Sequence, residues 1–99
     1  MSISRQTEIM EKEIVIGWTA TKITATGVET KTVKATPGKI ARIKVVTGAI
    51  TIIPKNGTTA IWDAIDNTAE FNQVGSPIQC NTSINLTFSG AGDAWIIYK

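Results

Sequence analysis

The feature that most constrains this chain is an alternation of apolar and polar residues with a period of two. In residues 39–46, three apolar residues (Ala41, Ile43 and Val45) alternate with basic ones, and residues 84–89 repeat the pattern with Ile, Leu and Phe. Successive side chains of a β-strand point to opposite faces of a sheet. The alternation therefore predicts antiparallel strands with one face toward the core and one toward water.

Turn-forming residues recur at short intervals between the apolar runs. They are Gly17, Gly27, Pro37-Gly38, Gly48, Asn56-Gly57, Asp66-Asn67, Gly75-Ser76-Pro77 and Ser89-Gly90-Ala91-Gly92. Strands that end every 8–12 residues or so indicate a sandwich or barrel rather than βαβ units. We therefore predict an all-β fold, an antiparallel β-sandwich of about eight strands, with either a jelly-roll-like or an immunoglobulin-like strand order.

The length of 99 residues fits one domain, which we place at residues 14–99. Residues 1–13 are polar without a clean period, and we interpret them as an N-terminal arm, either a short helix or an extended segment that orders on a neighbouring subunit. Residues 19–34 alternate poorly and are rich in Thr and Lys. They are predicted to form a hairpin at a sheet edge, turning at Thr26-Gly27, with lysines that discourage unwanted pairing.

The charge pattern and the length of the apolar runs exclude several classes of partner. Net charge is +2, and no run of Lys or Arg reaches five residues, so we expect no nucleic-acid partner. No apolar run approaches the roughly 20 residues that cross a bilayer, so we expect no membrane partner. The first residues lack the apolar core of a signal peptide, which predicts synthesis in a reducing cytoplasm.

The residue types present argue against an enzyme. The chain has no His, which excludes Ser-His-Asp and Cys-His nucleophilic sites, and its one cysteine makes no thiolate zinc site. Cys80 is interpreted as a buried small hydrophobe. We therefore predict no catalytic residue, no cofactor and no metal.

One carboxylate group remains as a candidate, formed by Asp63, Asp66 and Glu70. Such residues could bind Ca²⁺, and Asp63 with Glu70 could act as acid and base on a glycoside. Their spacing matches no EF-hand loop, and Asp66-Asn67 is typical of an ordinary turn.

The tryptophans raise a sugar-binding alternative. If Trp18 and Trp62 were exposed on the sheets, their rings could stack on sugar rings, as in a carbohydrate-binding module. The competing interpretation puts Trp95 in the core and uses Trp62 to anchor a packed loop, because buried aromatic rings dominate small cores.

Four segments from residue 33 onward share features with a known family. They are VKATPGKIARIKV (33–45), GAITI (48–52), GSPI (75–78) and INLTFSGAGDAWIIY (84–98). Their features are a Pro-Gly turn that starts a strand, an Ile-Thr-Ile strand and a Ser-Gly-x-Gly-Asp turn between the last two strands. Through these features about two-thirds of the chain resembles small β-sandwich virion proteins of tailed bacteriophages.

This resemblance implies a capsid decoration or cement protein, or else a head-fibre or tail component. It implies a major capsid protein as partner, self-assembly into a homotrimer or higher symmetric oligomer, and a place on the virion surface after synthesis in the bacterial host. Low charge and abundant Thr and Asn suit such a role. We expect the capsid-facing surface to include Ile3, Ile9 and Met10 of the arm.

Overall fold

A computed structural model of the chain describes residues 18–68 and 71–99. The described residues form nine strands and no helix. The strands are β1 (Thr19–Ala25), β2 (Glu29–Lys34), β3 (Gly38–Thr47), β4 (Ile52–Asn56), β5 (Thr59–Ala60), β6 (Phe71–Asn72), β7 (Ile78–Cys80), β8 (Ile84–Phe88) and β9 (Gly92–Tyr98). The predicted all-β sandwich is confirmed.

The strands make two antiparallel sheets packed face to face. One sheet has the order β1-β9-β3-β6, with β7 also pairing with β3, and the other has the order β2-β8-β4-β5. β1 thus pairs with the last strand, β9; β2 pairs with β8, and β3 pairs with β7. The innermost pair is the hairpin formed by β4 and β5. This nested pairing, a long hairpin wrapped into two sheets, is that of a jelly roll, and it decides between the two predicted strand orders.

The core lies between the sheets and is filled by side chains from both. Its largest fully buried residues are Phe71, Phe88, Ile40, Ile43, Ile52, Ile84, Leu86, Ile96 and Cys80. The predicted inward set of β8 is confirmed, since Ile84, Leu86 and Phe88 are all buried. Alternate side chains of one strand meet alternate side chains of the facing sheet, which removes apolar surface from water on both.

The predicted edge hairpin over residues 19–34 is wrong in its pairing. β1 pairs with β9 and β2 pairs with β8, so the two strands are edges of different sheets. The chain crosses between the sheets at residues 26–28, where Glu29 accepts a 2.7 Å hydrogen bond from the backbone N–H of Thr26. Ile23 and Val33 pack against the core from the two strands, so pairing them with each other would leave part of the core uncovered.

Ala41 does not share a face with Ile43, contrary to the period-two prediction. The β3–β9 register skips one residue: Ile40 pairs with Tyr98, and Arg42 with Ile97. A β-bulge of this kind places two residues opposite one and reverses the faces of those that follow. Ala41 therefore packs on the outer side of the five-stranded sheet, against Ile97.

Candidate functional site

The outer side of the five-stranded sheet carries the most chemically distinctive surface of the described residues, and we call it the basic face. β1, β9, β3 and β7 contribute to it. Its residues are Trp18, Ala20, Lys22, Thr24, Lys39, Ala41, Arg42, Lys44, Thr47, Gln79, Asp93, Trp95, Ile97 and Lys99.

The middle of the basic face is a row of three residues across three strands. Trp95 on β9 lies directly between Lys22 on β1 and Lys44 on β3. Directly opposed residues on one face have Cβ atoms about 4.5–5.5 Å apart, so the indole lies between two ammonium-bearing side chains. The prediction that Trp95 lies in the core is wrong: its neighbours Ala94 and Ile96 point inward, so Trp95 points outward and is half-buried.

The next row toward the end of β9 is aliphatic. Ile97 lies between Ala20 and the bulge formed by Ala41 and Arg42. Ala41 and Ile97 are buried, and Trp18 and Ala20 pack against them. This cluster is separate from the sandwich core and lies on the opposite side of the sheet.

A shallow depression of about 270 Å³ forms the end of the basic face beyond the aliphatic row. Lys39 and Lys99 pair there through two backbone hydrogen bonds, each 3.0 Å, and Gln79 is the partner of Lys39 on the other side. Trp18 and Lys34 also line the depression. The depression is lined by one tryptophan and three lysines.

The opposite end of the basic face holds the carboxylate side chain of Asp93. Oδ2 of Asp93 accepts a 2.8 Å hydrogen bond from Oγ1 of Thr47. The hydrogen bond from Thr24, then that from Thr47, and the charge of Lys22 together hold the pKa of Asp93 below its ordinary value. The carboxylate is thus kept charged by its neighbours on the same face.

The outer side of the four-stranded sheet differs in charge. Thr30 on β2 and Thr87 on β8 share a 2.9 Å hydrogen bond between their hydroxyls. Lys55 on β4 lies opposite Asn85, whose side-chain amide donates to the carbonyl of Gly57 at 2.8 Å. This side is neutral and polar around Lys55, and it offers matched controls for the basic face.

Trp18 and Trp62, the predicted sugar-stacking pair, do not lie together. Trp18 precedes β1, one edge of the five-stranded sheet, and packs on its outer side. Trp62 contacts Phe71 on β6, which pairs with β3 on the far side from β1, with ring centroids 5.1 Å apart and planes at 86°. Trp62 is 43% exposed and lines a shallow depression with Ala60 and Asp63. No single stacking platform includes both rings.

The carboxylate group is only partly within the described residues. Asp66 Oδ1 accepts hydrogen bonds from the backbone N–H and the hydroxyl of Thr68, at 2.9 and 2.6 Å, which confirms the turn interpretation. Asp63 is exposed, and Glu70 lies outside the described residues. Within residues 18–68 and 71–99, no three His, Cys, Asp or Glu residues are grouped so as to hold a metal ion.

Cys80 is buried at the end of β7, as predicted. Burial raises the pKa of its thiol, which disfavours the nucleophilic thiolate. The arm residues Ile3, Ile9 and Met10 lie outside the described residues, so their interface role stays a prediction.

Sequence reasoning missed the basic face because its cations are scattered along the chain. The signal that could have found it is the outward set of β9, in which Asp93, Trp95, Ile97 and Lys99 alternate with apolar residues. In the part of the chain that is described, no helix is long and apolar enough to span a membrane. Comparisons of the chain with protein-family models, curated proteins and solved structures find no significant match.

Proposed function

We propose that this protein is a non-enzymatic virion structural protein, a decoration protein that binds the outer capsid surface of a tailed bacteriophage. The observation that carries the proposal is the nested jelly-roll pairing, an architecture found in viral capsid and lectin domains. The segments that resemble phage virion proteins build most of β3 and all of β8 and β9, which are central strands of the two sheets. The predicted Ile-Thr-Ile strand is wrong in its bounds, because β4 begins only at Ile52, and the resemblance does not extend along β4.

The proposed partner is the major capsid protein, and the proposed location is the virion surface, reached after synthesis in the bacterial host. Sheet faces suit this task, since a protein partner needs a broad surface rather than a deep cleft. The described depressions beside Trp18 and Trp62 are shallow and open.

Co-sedimentation tests the proposal. Purified protein is mixed with capsids assembled from the major capsid protein of the same phage, and with capsids of an unrelated phage as control. Saturable sedimentation with the cognate capsids alone is expected. Protein that stays in the supernatant with mature and immature cognate capsids would overturn the proposal. Immunogold labelling of intact virions separates the capsid shell from a head-fibre or tail location.

The proposal includes self-association into a homotrimer or higher symmetric oligomer. A sandwich of about 100 residues buries little core, and closed oligomers add buried surface and match the symmetry of a shell. Light scattering coupled to size exclusion gives the mass directly. A single species with the mass of a trimer or hexamer is expected. A monomer mass at high protein concentration would contradict the proposed self-association.

A carbohydrate-binding module is the second candidate, favoured by one observation, the exposure of Trp62 beside Asp63. An exposed indole offers a flat apolar surface to a sugar ring, and a nearby carboxylate accepts hydroxyl hydrogen bonds. A glycan array that gives hits lost in Trp62→Ala and kept in Trp18→Ala would support this candidate. An array without hits would dismiss it.

A further inference from the structure

The basic face concentrates positive charge that the sequence scatters. It carries four lysines that lie far apart in the sequence, namely Lys22, Lys39, Lys44 and Lys99. Two described carboxylates lie on or beside this face: Asp93, which hydroxyls and Lys22 already satisfy, and Asp66, which lines a depression together with Lys44. The face therefore presents a net positive field to a partner.

Two lysines on this face are placed to share one anion. Lys39 and Lys99 are direct neighbours across two strands, joined by both backbone hydrogen bonds at 3.0 Å. Like charges in directly opposed positions destabilise a sheet. A carboxylate bound between the two ammonium groups would reverse the sign of that interaction and add charge-assisted hydrogen bonds.

The arrangement of the rings favours a protein over a nucleic acid. Trp18 directly precedes β1, and Trp95 lies on the adjacent strand β9, offset by four residues, which at about 3.3 Å per residue is roughly 13 Å. The aliphatic row of Ala20 and Ile97 separates them. Neighbouring bases of one strand rise by about 3.4 Å, so they would not stack on both rings in succession. Indole rings around an aliphatic centre with a charged rim match the anatomy of a protein interface.

We propose that the basic face docks on a carboxylate-rich protein surface. The identity of that surface as an acidic patch on the capsid subunit rests on the proposed function. Three strands about 4.8 Å apart and about 23 Å long, with the short strand β7 beside them, present roughly 400 Å², about half of what one partner of a standard interface buries. One copy therefore binds weakly, and several copies in a symmetric oligomer bind through avidity.

The first experiment uses a probe that does not depend on the capsid. The ¹⁵N-labelled full chain is titrated with a poly-glutamate peptide of about 20 residues at low salt, and with oligo-dT of similar charge. Amide shifts are expected on β1, β3 and β9, and they should vanish at about 0.5 M salt because the interaction is screened. No shifts at low salt, shifts elsewhere on the molecule, or tighter binding of oligo-dT would each overturn the proposal.

Matched charge reversals locate the surface. Lys44→Glu and Lys55→Glu change the net charge equally, and both lysines are half-buried on outward sides of central strands, one in each sheet. Lys44→Glu is expected to weaken poly-glutamate binding about three- to tenfold, the range of one to two close ion pairs, and Lys55→Glu less than twofold. Equal losses in the two variants would overturn the assignment. If poly-glutamate binds only after residues 1–13 are removed, the acidic residues of the chain's own N-terminal segment (Glu8, Glu11 and Glu13) occupy the basic face. That result would also overturn the proposal of a separate acidic partner.

The same two variants in capsid co-sedimentation separate the two proposals. If Lys44→Glu and added salt each weaken capsid binding, the result supports the proposed function and the role of the basic face. Capsid binding indifferent to salt and to Lys44→Glu overturns the basic face while the proposed function stands. Poly-glutamate binding on this face without capsid binding overturns the proposed function while the acidic-surface specificity stands.

Discussion

The hydroxyl of Thr47 donates a 2.8 Å hydrogen bond to Oδ2 of Asp93, joining β3 to β9 on the outer side of the five-stranded sheet. The pKa of Asp93 is held low in the fold, chiefly by the hydrogen bonds from Thr24 and Thr47. A depressed folded-state pKa contributes stability that is present above the unfolded value, near 3.9 for Asp, and is lost as pH falls through the folded value.

Asp93→Asn is therefore expected to lower stability at pH 7, and the difference from wild type should shrink below about pH 4. Urea midpoints at pH 7, 4 and 2.5 measure it. Asp63→Asn is the control, because the Asp63 side chain is exposed. If Asp93→Asn lowered the urea midpoint equally at pH 7 and at pH 2.5, the lost stability would not come from the charged form of Asp93.

Gly92 leaves no room for a side chain where the chain enters β9. A Cβ there would lie 2.6 Å from the carbonyl oxygen of Thr47 and 2.7 Å from Cδ1 of Ile50. Gly92→Ala should cost about 1–3 kcal/mol of unfolding free energy through overpacking. Gly75→Ala is the matched control, since nothing lies within 4 Å of its Cβ position, and its effect should stay within about 0.5 kcal/mol. Urea unfolding at one pH compares them, and equal costs would refute the steric reason.

Cys80 should react with a thiol reagent only through unfolding. Its side chain is fully buried, and burial raises the pKa of the thiol. We expect labelling of the folded protein to be on the order of 100-fold slower than in urea. Ser76→Cys adds a thiol at an exposed position, so one of the two thiols of that variant should react at once. Equal rates for both thiols would show that the end of β7 opens freely.

Deleting residues 1–13 tests the predicted arm. Capsid affinity should fall, because Ile3, Ile9 and Met10 are expected to contact the shell, while the urea midpoint should stay close to that of the full chain. Replacing those three residues by Ala in the full chain is the control for length. Capsid affinity near that of wild type in both variants would remove the arm from the interface.

Several features of the described fold follow from local sequence alone. Alternation with a period of two predicted the all-β class and the inward set of Ile84, Leu86 and Phe88, because side-chain direction along a strand depends only on position. Hydrogen bonds from Thr68 to Asp66 likewise confirm a turn predicted from two adjacent residues. Where a bulge adds one residue, at Ala41, the same alternation fails.

The order of the strands was decided only by the tertiary structure. β1 and β2 are neighbours in sequence and lie in different sheets, because each covers a different side of the core and finds its partner in β9 or β8 at the far end of the chain. The basic face has the same origin. Lys22, Lys44 and Trp95 are far apart in sequence, and only the pairing of β1, β3 and β9 places them in one row. Local pattern determines which way each side chain points, whereas non-local pairing determines which side chains become neighbours.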